Sequence, residues 1–357
     1  MSFHLNNLIP VADFLPVRGK PMIIAGPCSA ESEEQVLETA RELAKLPQVA
    51  AFRCGLWKPR TRPGDFEGRG EEGLEWLKKA KQETGLKIAV EVALPEHIEL
   101  CLKNEVDILW IGSRTVVNPF SINEIAEALK GCDVPVLVKN PVSPDLLLWI
   151  GALERLYQQG IRKLAAVHRG FSAYGSKPFR NLPIWEIPIE LRRLIPGLPV
   201  LVDPSHISGS RAMLRPVMQS AADFDFDGMM IEAHIHPEEA FTDRNQQVSP
   251  QELAELIGLL AIRKRRKGEE GKGSEIEDLR LRIDDLDDQI LKLLAERMEI
   301  VKKIGVEKKG LGMDALQLER WRSVVEDRLQ KGASLGLSRN FLMNLLQAIH
   351  EEALRLQ

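Results

Sequence analysis

The stretch MIIAGPCSAESEEQVLETARELAKLPQVAAFRCG, residues 22–55, contains two short apolar runs separated by a longer polar segment. The runs, MIIAG at 22–26 and AFRCG at 51–55, are typical of buried strands, and the segment between them has helical periodicity. No glycine-rich dinucleotide-binding fingerprint follows the first run. The stretch therefore predicts a strand, a helix and a second strand.

The same unit recurs along the chain up to about residue 262. Six further apolar runs, each followed by a helical segment, are KIAVEV (87–92), ILWIG (108–112), PVLVKN (135–140), KLAAVH (163–168), PVLVD (199–203) and GMMIEA (228–233). The last helix begins at Ser249-Pro250-Gln251-Glu252, which combines an N-cap serine, a proline at the first helical position and a glutamate three residues after the cap. Eight strands alternating with helices predict a (β/α)8 TIM barrel, and an open doubly wound sheet is the alternative.

A second domain follows, because only helical patterns occur after residue 274. The segment RKRRKGEEGKGSE, residues 263–275, joins the two parts. Its basic cluster could mark a nucleic-acid or localisation patch, but its three glycines and mixed charges are more typical of a flexible tether. We therefore predict an α/β barrel at residues 1–262, a flexible linker at 263–274 and a small all-α domain at 275–357.

The composition is that of a soluble protein, with 44% hydrophobic and 28% charged residues in a chain of 357. The N-terminus lacks a basic region followed by an apolar run, and no long apolar segment occurs elsewhere, so neither export nor membrane insertion is expected. The formal net charge of -4 argues against nucleic acid as the main partner. Four irregularly spaced cysteines predict free thiols. We expect a cytoplasmic protein with no membrane or nucleic-acid partner.

Reactive side chains lie at most of the predicted strand ends, which in a TIM barrel meet at one mouth. Six cations would form an electropositive basin for phosphates and a carboxylate: Arg53, Lys58, Arg60, Arg114, Lys139 and Arg169. Four other residues would offer a thiolate, an imidazole and two carboxylates to a Mn²⁺, Fe²⁺, Co²⁺ or Zn²⁺ ion: Cys28, His206, Glu232 and Asp243. His168 and Asp203 also end strands. Each residue alone could also have a purely structural role. The alkyl stem of Lys139 could pack on apolar surface with its ammonium group in water, and Cys28 could be a small core residue. Together they predict an active site for an anionic substrate.

Seven short motifs resemble the 3-deoxy-D-arabino-heptulosonate 7-phosphate (DAHP) synthase family and follow its order. They are AGPCS (25–29), KPRT (58–61), IGSR (111–114), VLVKN (136–140), HRG (168–170), DPSH (203–206) and IEAHIHPEEAFTD (231–243). The resemblance implies the first step of the shikimate pathway, in which phosphoenolpyruvate, D-erythrose 4-phosphate and water give DAHP and phosphate. The nearest rival is the sister enzyme that uses arabinose 5-phosphate, and KPRT favours the four-carbon aldehyde.

The resemblance also assigns roles to residues. It implies a divalent metal cofactor, with Mn²⁺ expected and Co²⁺, Fe²⁺ or Zn²⁺ as alternatives, bound by Cys28, His206, Glu232 and Asp243. Phosphoenolpyruvate would be held by Arg53, Lys58, Arg114, Lys139 and Arg169, and erythrose 4-phosphate by Arg60 and Thr61. Lys139 is also a candidate for catalytic proton transfer, with a metal-linked water as the alternative.

The helical domain has its own pattern. From residue 275 to about 309, apolar residues repeat at spacings of three and four, as in a coiled-coil seam, and Arg297 occupies the next seam position. A buried cation there would need an anion. Lys308 lies about three turns further on and on nearly the same face, whereas Arg280 lies roughly 25 Å before Arg297 at 1.5 Å per residue. If Arg280 and Arg297 serve one site, Arg280 must come from another chain.

The segment LRLRIDDLDDQILKLLAERMEIVKKIGVEKK, residues 279–309, resembles the all-α chorismate mutases, whose intertwined dimers of three-helix chains borrow an arginine from the partner. The resemblance implies rearrangement of chorismate to prephenate and a homodimer or larger homo-oligomer formed through this domain. The residues implied to bind chorismate are Arg280, Arg297, Lys308, Gln317, Arg320 and Gln357. The chain departs from the family at Gln317, usually Asp, at Trp321, often Glu, and at Ala353, commonly Ser.

Two other roles of the helical domain stay open. It could be an inactive dimerisation module, or it could be a sensor whose ligand, chorismate or prephenate, inhibits the barrel. The sensing role can coexist with mutase activity. We expect feedback inhibition, because a tether joins the two domains and the short N-terminus leaves no room for a separate regulatory domain before the barrel.

Overall fold

The computed structural model describes residues 5–15, 19–60, 62–173, 175, 178–262 and 273–357, with side chains in the last range described from residue 279. The chain divides into two compact units, Met1–Lys264 and Arg265–Gln357. All four cysteines are free, as predicted. Among the described residues, no helix is both long enough and apolar enough to span a bilayer.

The first unit is built on a closed barrel of eight parallel strands in sequence order. The strands are β1 (Ile23–Gly26), β2 (Val49–Cys54), β3 (Lys87–Val92), β4 (Ile108–Ile111), β5 (Val136–Lys139), β6 (Leu164–His168), β7 (Val200–Val202) and β8 (Gly228–Glu232). Each of the eight predicted strands is present, with ends that differ by at most two residues. The predicted (β/α)8 barrel is confirmed, and the open sheet is excluded.

Helices connect the strands and surround the barrel. They are α1 (Val11–Phe14), α2 (Glu33–Ala44), α3 (Glu71–Thr84), α4 (Pro95–Lys103), α5 (Ser113–Val116), α6 (Pro119–Ala128), α7 (Leu146–Gln158), α8 (Glu186–Leu194), α9 (Pro204–Ser208), α10 (Arg211–Asp223) and α11 (Pro250–Gly258). A 3₁₀ turn spans Pro237–Glu239. The predicted capping box of α11 is present, because Ser249 and Glu252 each accept a hydrogen bond from the other's backbone N–H.

Strand alternation separates two cores. One lies between the barrel and its helices, and the other fills the barrel with inward residues such as Ile24, Trp110 and Met230. Phe14 and Leu15 join the inner core, which closes the N-terminal end of the barrel. The C-terminal strand ends carry polar side chains instead, and this leaves the opposite end available for chemistry.

The second unit consists of three helices, α12 (Gly273–Gly310), α13 (Leu318–Ser334) and α14 (Arg339–Arg355). The apolar seam predicted on α12 is exposed in the single chain. Its described members are each more than half exposed: Leu279, Ile283, Leu286, Ile290 and Leu293. Few large apolar side chains of this unit are buried, chiefly Val301, Leu329 and Leu342. The seam therefore has no apolar cover within the described part of its own chain.

Candidate active site

A cleft of about 360 Å³ opens at the C-terminal ends of the barrel strands. It unites the six predicted cations with three of the four predicted metal ligands: Arg53, Lys58, Arg60, Arg114, Lys139, Arg169, Cys28, His206 and Asp243. Glu232, the fourth predicted ligand, is fully buried at the end of β8. Thr61 lies outside the described residues. The cleft is therefore strongly cationic, with an acidic and sulfur-containing cluster at one side.

The acidic cluster has metal-ligand spacing. One ligand atom from each of Cys28, Glu232 and Asp243 lies within 4.8 Å of the others. His206 Nε2 lies 3.8 Å from Glu232 Oε1 and 4.0 Å from Asp243 Oδ2. The barrel thus brings together donors from β8 and from the segments after β1, β7 and β8, which are far apart in sequence.

The orientation of these donors also fits a metal ion. Glu232 Oε1 is buried and accepts no hydrogen bond from any described residue, although it lies 3.4 Å from Arg53 Nη2. His206 Nδ1 lies 2.9 Å from Asp203 Oδ2, which leaves Nε2 facing the two carboxylates. A carboxylate on the far nitrogen of a metal-binding imidazole is a recurring arrangement in metal sites. One thiol, one imidazole and two carboxylates suit a divalent transition ion.

Burial and charge set the protonation states in this cluster. Burial, reinforced by Glu232, raises the pKa of the Cys28 thiol to about 12. Burial also lowers the pKa of His206, although Asp203 and Glu232 oppose it, so the imidazole is largely neutral at pH 7. For Asp243, burial acts to raise the pKa, but His206 and Arg180 outweigh it and hold the value at about 2. A neutral imidazole and ionised carboxylates are the forms that bind metals.

Three cations are paired with carboxylates in the cleft, and of these carboxylates Asp203 and Glu232 are buried whereas Glu91 is half-buried. Lys139 Nζ lies 2.6 Å from Asp203 Oδ2, and Arg53 stacks over Trp110 while pairing with Glu232. Lys58 Nζ is 3.8 Å from Glu91 Oε2. A Cβ at Gly55 would lie 2.5 Å from Lys58 Nζ, so glycine leaves the room that this lysine occupies.

The other three cations each donate a hydrogen bond to an uncharged oxygen. Arg60 Nε donates to Phe66 O at 2.6 Å, and Arg114 Nη1 donates to Pro59 O. Arg169 Nη1 donates to Asn181 Oδ1 at 2.7 Å. Burial, with Arg180 and Arg114 nearby, lowers the pKa of Arg169 to about 10. Two cations therefore lie near the Arg169 guanidinium, and an anionic ligand would stabilise its charge.

The predicted residues of the helical unit fall into separate groups. Lys308 Nζ donates to Gln357 Oε1 at 3.0 Å. A Cβ at Gly305 would lie 2.9 Å from Gln357 Cα, so the C-terminus packs closely on α12. Arg297 is exposed, with Nη1 3.9 Å from Met298 Sδ.

Gln317 and Arg320 are exposed at the start of α13, where Gln317 is the N-cap residue. Arg280 and Arg297 lie on one continuous helix, α12. Their separation of seventeen residues places them roughly 25 Å apart along the axis. One chain therefore does not bring Arg280 to Arg297.

Residues 14–264, which include every strand and the whole cleft, match the DAHP synthetase I family. The chain belongs to the DAHP synthetase I family. This family is metal-dependent, in agreement with the candidate metal site of the barrel. Residues 279–357 match chorismate mutase type II. The chain thus combines a DAHP synthase domain with a chorismate mutase domain and is a bifunctional enzyme.

Similar proteins include the phospho-2-dehydro-3-deoxyheptonate aldolase of Thermotoga maritima, 32% identical over 257 residues, or 72% of this chain and 74% of the relative. The crystal structure of the Thermotoga maritima DAHP synthase superposes with a TM-score of 0.60 and 31% identity, covering 66% of this chain and 67% of that one. The 2-dehydro-3-deoxyphosphooctonate aldolase of Wolinella succinogenes is 28% identical over 68% of this chain and 98% of its own length.

Sequence reasoning missed several residues of this DAHP synthase cleft, among them Arg180 and Asn181. Arg180 and Asn181 lie in the loop after β6, and both line the cleft. Arg180 pairs with Asp243, while Asn181 contacts Arg169 and, through Nδ2, His206 O at 2.6 Å. The rule that every loop after a barrel strand faces the mouth was the available signal.

One strand-end residue does not face the cleft. Val167 points into the barrel, so His168 points outward, where its ring lies 5.6 Å from Phe171 and 5.3 Å from Trp185. Burial lowers the pKa of His168 to about 3, so this imidazole stays neutral. The ring packs against Phe171 and Trp185.

Proposed function

We propose that the barrel condenses phosphoenolpyruvate, D-erythrose 4-phosphate and water to DAHP and phosphate at a divalent metal site. The observation that carries the proposal is the single cleft in which six cations face the cluster of Cys28, His206 and Asp243. Two phosphorylated substrates bring several negative charges, and arginine forks with lysine ammonium groups are suited to hold them. The same mouth therefore accommodates both substrates beside the metal ligands.

The proposed roles of the residues are those that the resemblance to the DAHP synthase family implies. Arg53, Lys58, Arg114, Lys139 and Arg169 would bind phosphoenolpyruvate, while Arg60, with Thr61, would bind the phosphate of the aldehyde. The cations would fix the enolpyruvate so that its C3 faces the aldehyde carbon. Lys139 is the proposed proton-transfer residue, because its ammonium group lies in the cleft and is hydrogen-bonded to Asp203.

The metal would be bound by Cys28, His206, Glu232 and Asp243, with Mn²⁺ as the expected ion and Co²⁺, Fe²⁺ or Zn²⁺ as alternatives. When bound, it would supply Lewis-acid polarisation of the aldehyde oxygen. The chain's own contribution is to keep His206 neutral and both carboxylates ionised before the ion binds. These protonation states favour metal binding near pH 7.

The aldehyde is tested by measuring phosphate release from phosphoenolpyruvate with erythrose 4-phosphate or arabinose 5-phosphate. We expect turnover with the four-carbon aldehyde and much slower turnover with the five-carbon one. Arg60→Met should raise the KM for the aldehyde more than the KM for phosphoenolpyruvate. Faster turnover with arabinose 5-phosphate would instead support the activity named for the Wolinella relative.

We also propose that the helical domain converts chorismate to prephenate within a homodimer or larger homo-oligomer. Lys308 and Gln357 already contact each other, and both could stabilise charge on the ether oxygen of chorismate. Arg297, Gln317 and Arg320 would complete the site from the same chain. Arg280 would come from a second copy, whose α12 would also cover the exposed apolar seam.

Mixing two inactive variants tests the shared site. Arg280→Ala and Arg297→Ala should each abolish mutase turnover as homodimers. Randomly mixed chains form hybrids in half of the dimers, and each hybrid has one intact site, so about a quarter of the wild-type activity should return. If both arginines served a site within one chain, every hybrid site would lack one of them and mixing would restore nothing.

Regulation is the third part of the proposal. We expect chorismate or prephenate, bound to the helical domain, to inhibit the barrel, with the domains divided at 1–262, 263–274 and 275–357. The full chain should lose synthase activity when either ligand is added, whereas a chain that stops at residue 268 should not. Equal insensitivity of the two chains would contradict this regulation.

The alternative is that the helical domain is an inactive dimerisation or ligand-sensing module. Absence of mutase turnover in a folded dimer would favour this alternative.

A further inference from the structure

The guanidinium of Arg180 contacts one carboxylate of the candidate metal site and is connected to the other through a glutamine. Its Nη1 donates to Asp243 Oδ1 at 2.9 Å and to Gln246 Oε1 at 2.6 Å. Gln246 is buried and donates in turn from Nε2 to Glu232 Oε2 at 2.6 Å. Arg180 therefore contacts Asp243 directly and Glu232 through one intervening side chain.

These hydrogen bonds occupy one oxygen of each carboxylate and leave the other oxygen directed at the remaining candidate ligands. Asp243 Oδ2 lies 3.5 Å from Cys28 Sγ and 4.0 Å from His206 Nε2. Glu232 Oε1 lies 3.8 Å from the same imidazole nitrogen and 3.4 Å from Arg53 Nη2. A carboxylate that is hydrogen-bonded on one oxygen cannot rotate freely, so its other oxygen is presented in a fixed direction.

Arg180 is itself fixed by the segment that carries His206. Its backbone N–H donates to Ile207 O at 3.0 Å, and the neighbouring Asn181 donates from Nδ2 to His206 O. Gly209 has a φ of +66°, and a Cβ there would lie 2.4 Å from Arg180 Cβ. The loop after β6 is thus packed against the turn after β7, and the guanidinium extends from there to the loop after β8.

We propose that Arg180 is a positioning residue of the metal centre, which orients Asp243 directly and Glu232 through Gln246. The carboxylate oxygens that do not accept these hydrogen bonds, Asp243 Oδ2 and Glu232 Oε1, then converge with Cys28 and His206 on one ion. The inference rests on the proposed metal dependence of the barrel. The charge of Arg180 acts in the opposite sense, because a cation beside the site repels a divalent ion. Orientation and charge therefore predict opposite changes in metal affinity when the guanidinium is removed.

The test is a titration of the metal-free full chain with Mn²⁺ in the absence of substrates, with free Mn²⁺ followed by its electron paramagnetic resonance signal. Loss of an outer-shell hydrogen bond typically weakens metal binding, and we expect Arg180→Met to bind Mn²⁺ about 10- to 100-fold more weakly than wild type. Arg180→Lys should fall between them, because it keeps the charge and a donor but not the planar fork. Co²⁺ bound to Arg180→Met should show altered ligand-field bands and an altered sulfur-to-cobalt charge-transfer band.

Arg193→Met is the matched control, because Arg193 also pairs with a glutamate, Glu190, but on the exposed surface of α8. It should bind Mn²⁺ like wild type. An affinity of Arg180→Met within about twofold of wild type, or tighter, would overturn the positioning role. If wild type itself binds no Mn²⁺, the proposed metal site fails, which is a distinct result.

A second variant covers the case in which Arg180→Met does not fold, as judged by circular dichroism. Gln246→Leu breaks the connection to Glu232 and leaves Arg180 on Asp243. Weaker Mn²⁺ binding by this variant would support the proposal, and unchanged binding would overturn it. Where both single variants fold, the double variant should lose less affinity than the sum of the two losses, because both act on one connected network.

Discussion

Replacing Arg169 by methionine should separate stability from substrate binding in the barrel. The guanidinium is largely buried, and its pKa is lowered to about 10 by burial and by its cationic neighbours Arg180 and Arg114. Burial beside two cations disfavours the charged form of the guanidinium by an energy on the order of 3 kcal/mol. The charge of Arg169 therefore costs folding free energy in the substrate-free protein.

The substitution also removes the hydrogen bond from Arg169 to Asn181 Oδ1, which still accepts from Ser172 Oγ at 3.2 Å. A hydrogen bond to a charged group contributes about 1.5–3 kcal/mol, so the two effects nearly offset each other. We expect Arg169→Met to be as stable as wild type, or more stable by up to about 1.5 kcal/mol. The affinity for phosphoenolpyruvate should fall by about 10- to 150-fold, because the variant loses a hydrogen bond to a charged ligand that contributes the same 1.5–3 kcal/mol.

Urea unfolding with and without phosphoenolpyruvate measures both quantities, and tryptophan fluorescence reports mainly on the barrel because five of the six tryptophans lie there. Wild type should gain stability from the ligand, while the variant at the same concentration should gain little. Arg193→Met, on the exposed surface, should behave like wild type in both measurements. A variant destabilised by more than about 2 kcal/mol, or one that keeps wild-type affinity, would refute this reasoning.

Three further predictions concern other parts of the chain. Asp203→Asn removes the buried partner of Lys139 and should lower the free energy of unfolding by about 3–5 kcal/mol, measured by urea titration. Gly305→Ala should push the C-terminal Gln357 away from α12 and lower mutase kcat by up to about 100-fold in a chorismate-depletion assay, without affecting the synthase. Because the Cys28 thiol is protonated in the metal-free protein, Mn²⁺ binding at pH 7 should release a proton, and Cys28→Ser should release none in calorimetry across buffers.

The effect of Asp203→Asn should depend on pH. Burial acts to raise the pKa of Asp203, but His206 and Lys139 hold it well below its ordinary value. The ionised Asp203 carboxylate therefore stabilises the fold above about pH 4, and this contribution is lost as pH falls toward its pKa in the folded protein. The free energy of unfolding of Asp203→Asn should consequently decrease less steeply than that of wild type at acidic pH. An unchanged dependence on pH would contradict this.

Gly310→Ala is the control for Gly305→Ala, because nothing lies within 4 Å of a Cβ added at Gly310. Equal mutase activity in both, or equal proton release with and without the Cys28 thiol, would count against the respective predictions.

The barrel could be predicted from the sequence because its strands are short apolar runs at regular intervals. Except for Lys87 and Glu91 on β3, the strand residues are buried on both faces, so the runs stand out from the amphipathic helices beside them. The positions of Arg53 and Lys139 at strand ends followed from the fold, since parallel strands in a barrel present their C-terminal ends at one mouth. Helix rise alone also separated Arg280 from Arg297, in agreement with the continuous helix α12.

Arg180 could not be identified in the same way. It lies twelve residues beyond the end of β6, and its partner Asp243 is 63 residues further along the chain. No local periodicity connects the two, and only the packing of three loops brings them together. The direction of His168 likewise depends on the register of β6, where a shift of one residue exchanges the inside of the barrel for the outside. The chemistry of a residue at a strand end was visible in the sequence, but the face to which it points was not.

The central claim is that one chain carries a metal-dependent synthase and a metal-independent mutase. The most direct test is to chelate the purified full chain, assay it for phosphate release from phosphoenolpyruvate with erythrose 4-phosphate and for chorismate loss, and repeat both assays after adding Mn²⁺. We predict that chelation abolishes phosphate release, that Mn²⁺ restores it, and that chorismate loss is the same throughout. Phosphate release that persists after complete removal of metal, or chorismate loss that disappears with it, would contradict the account.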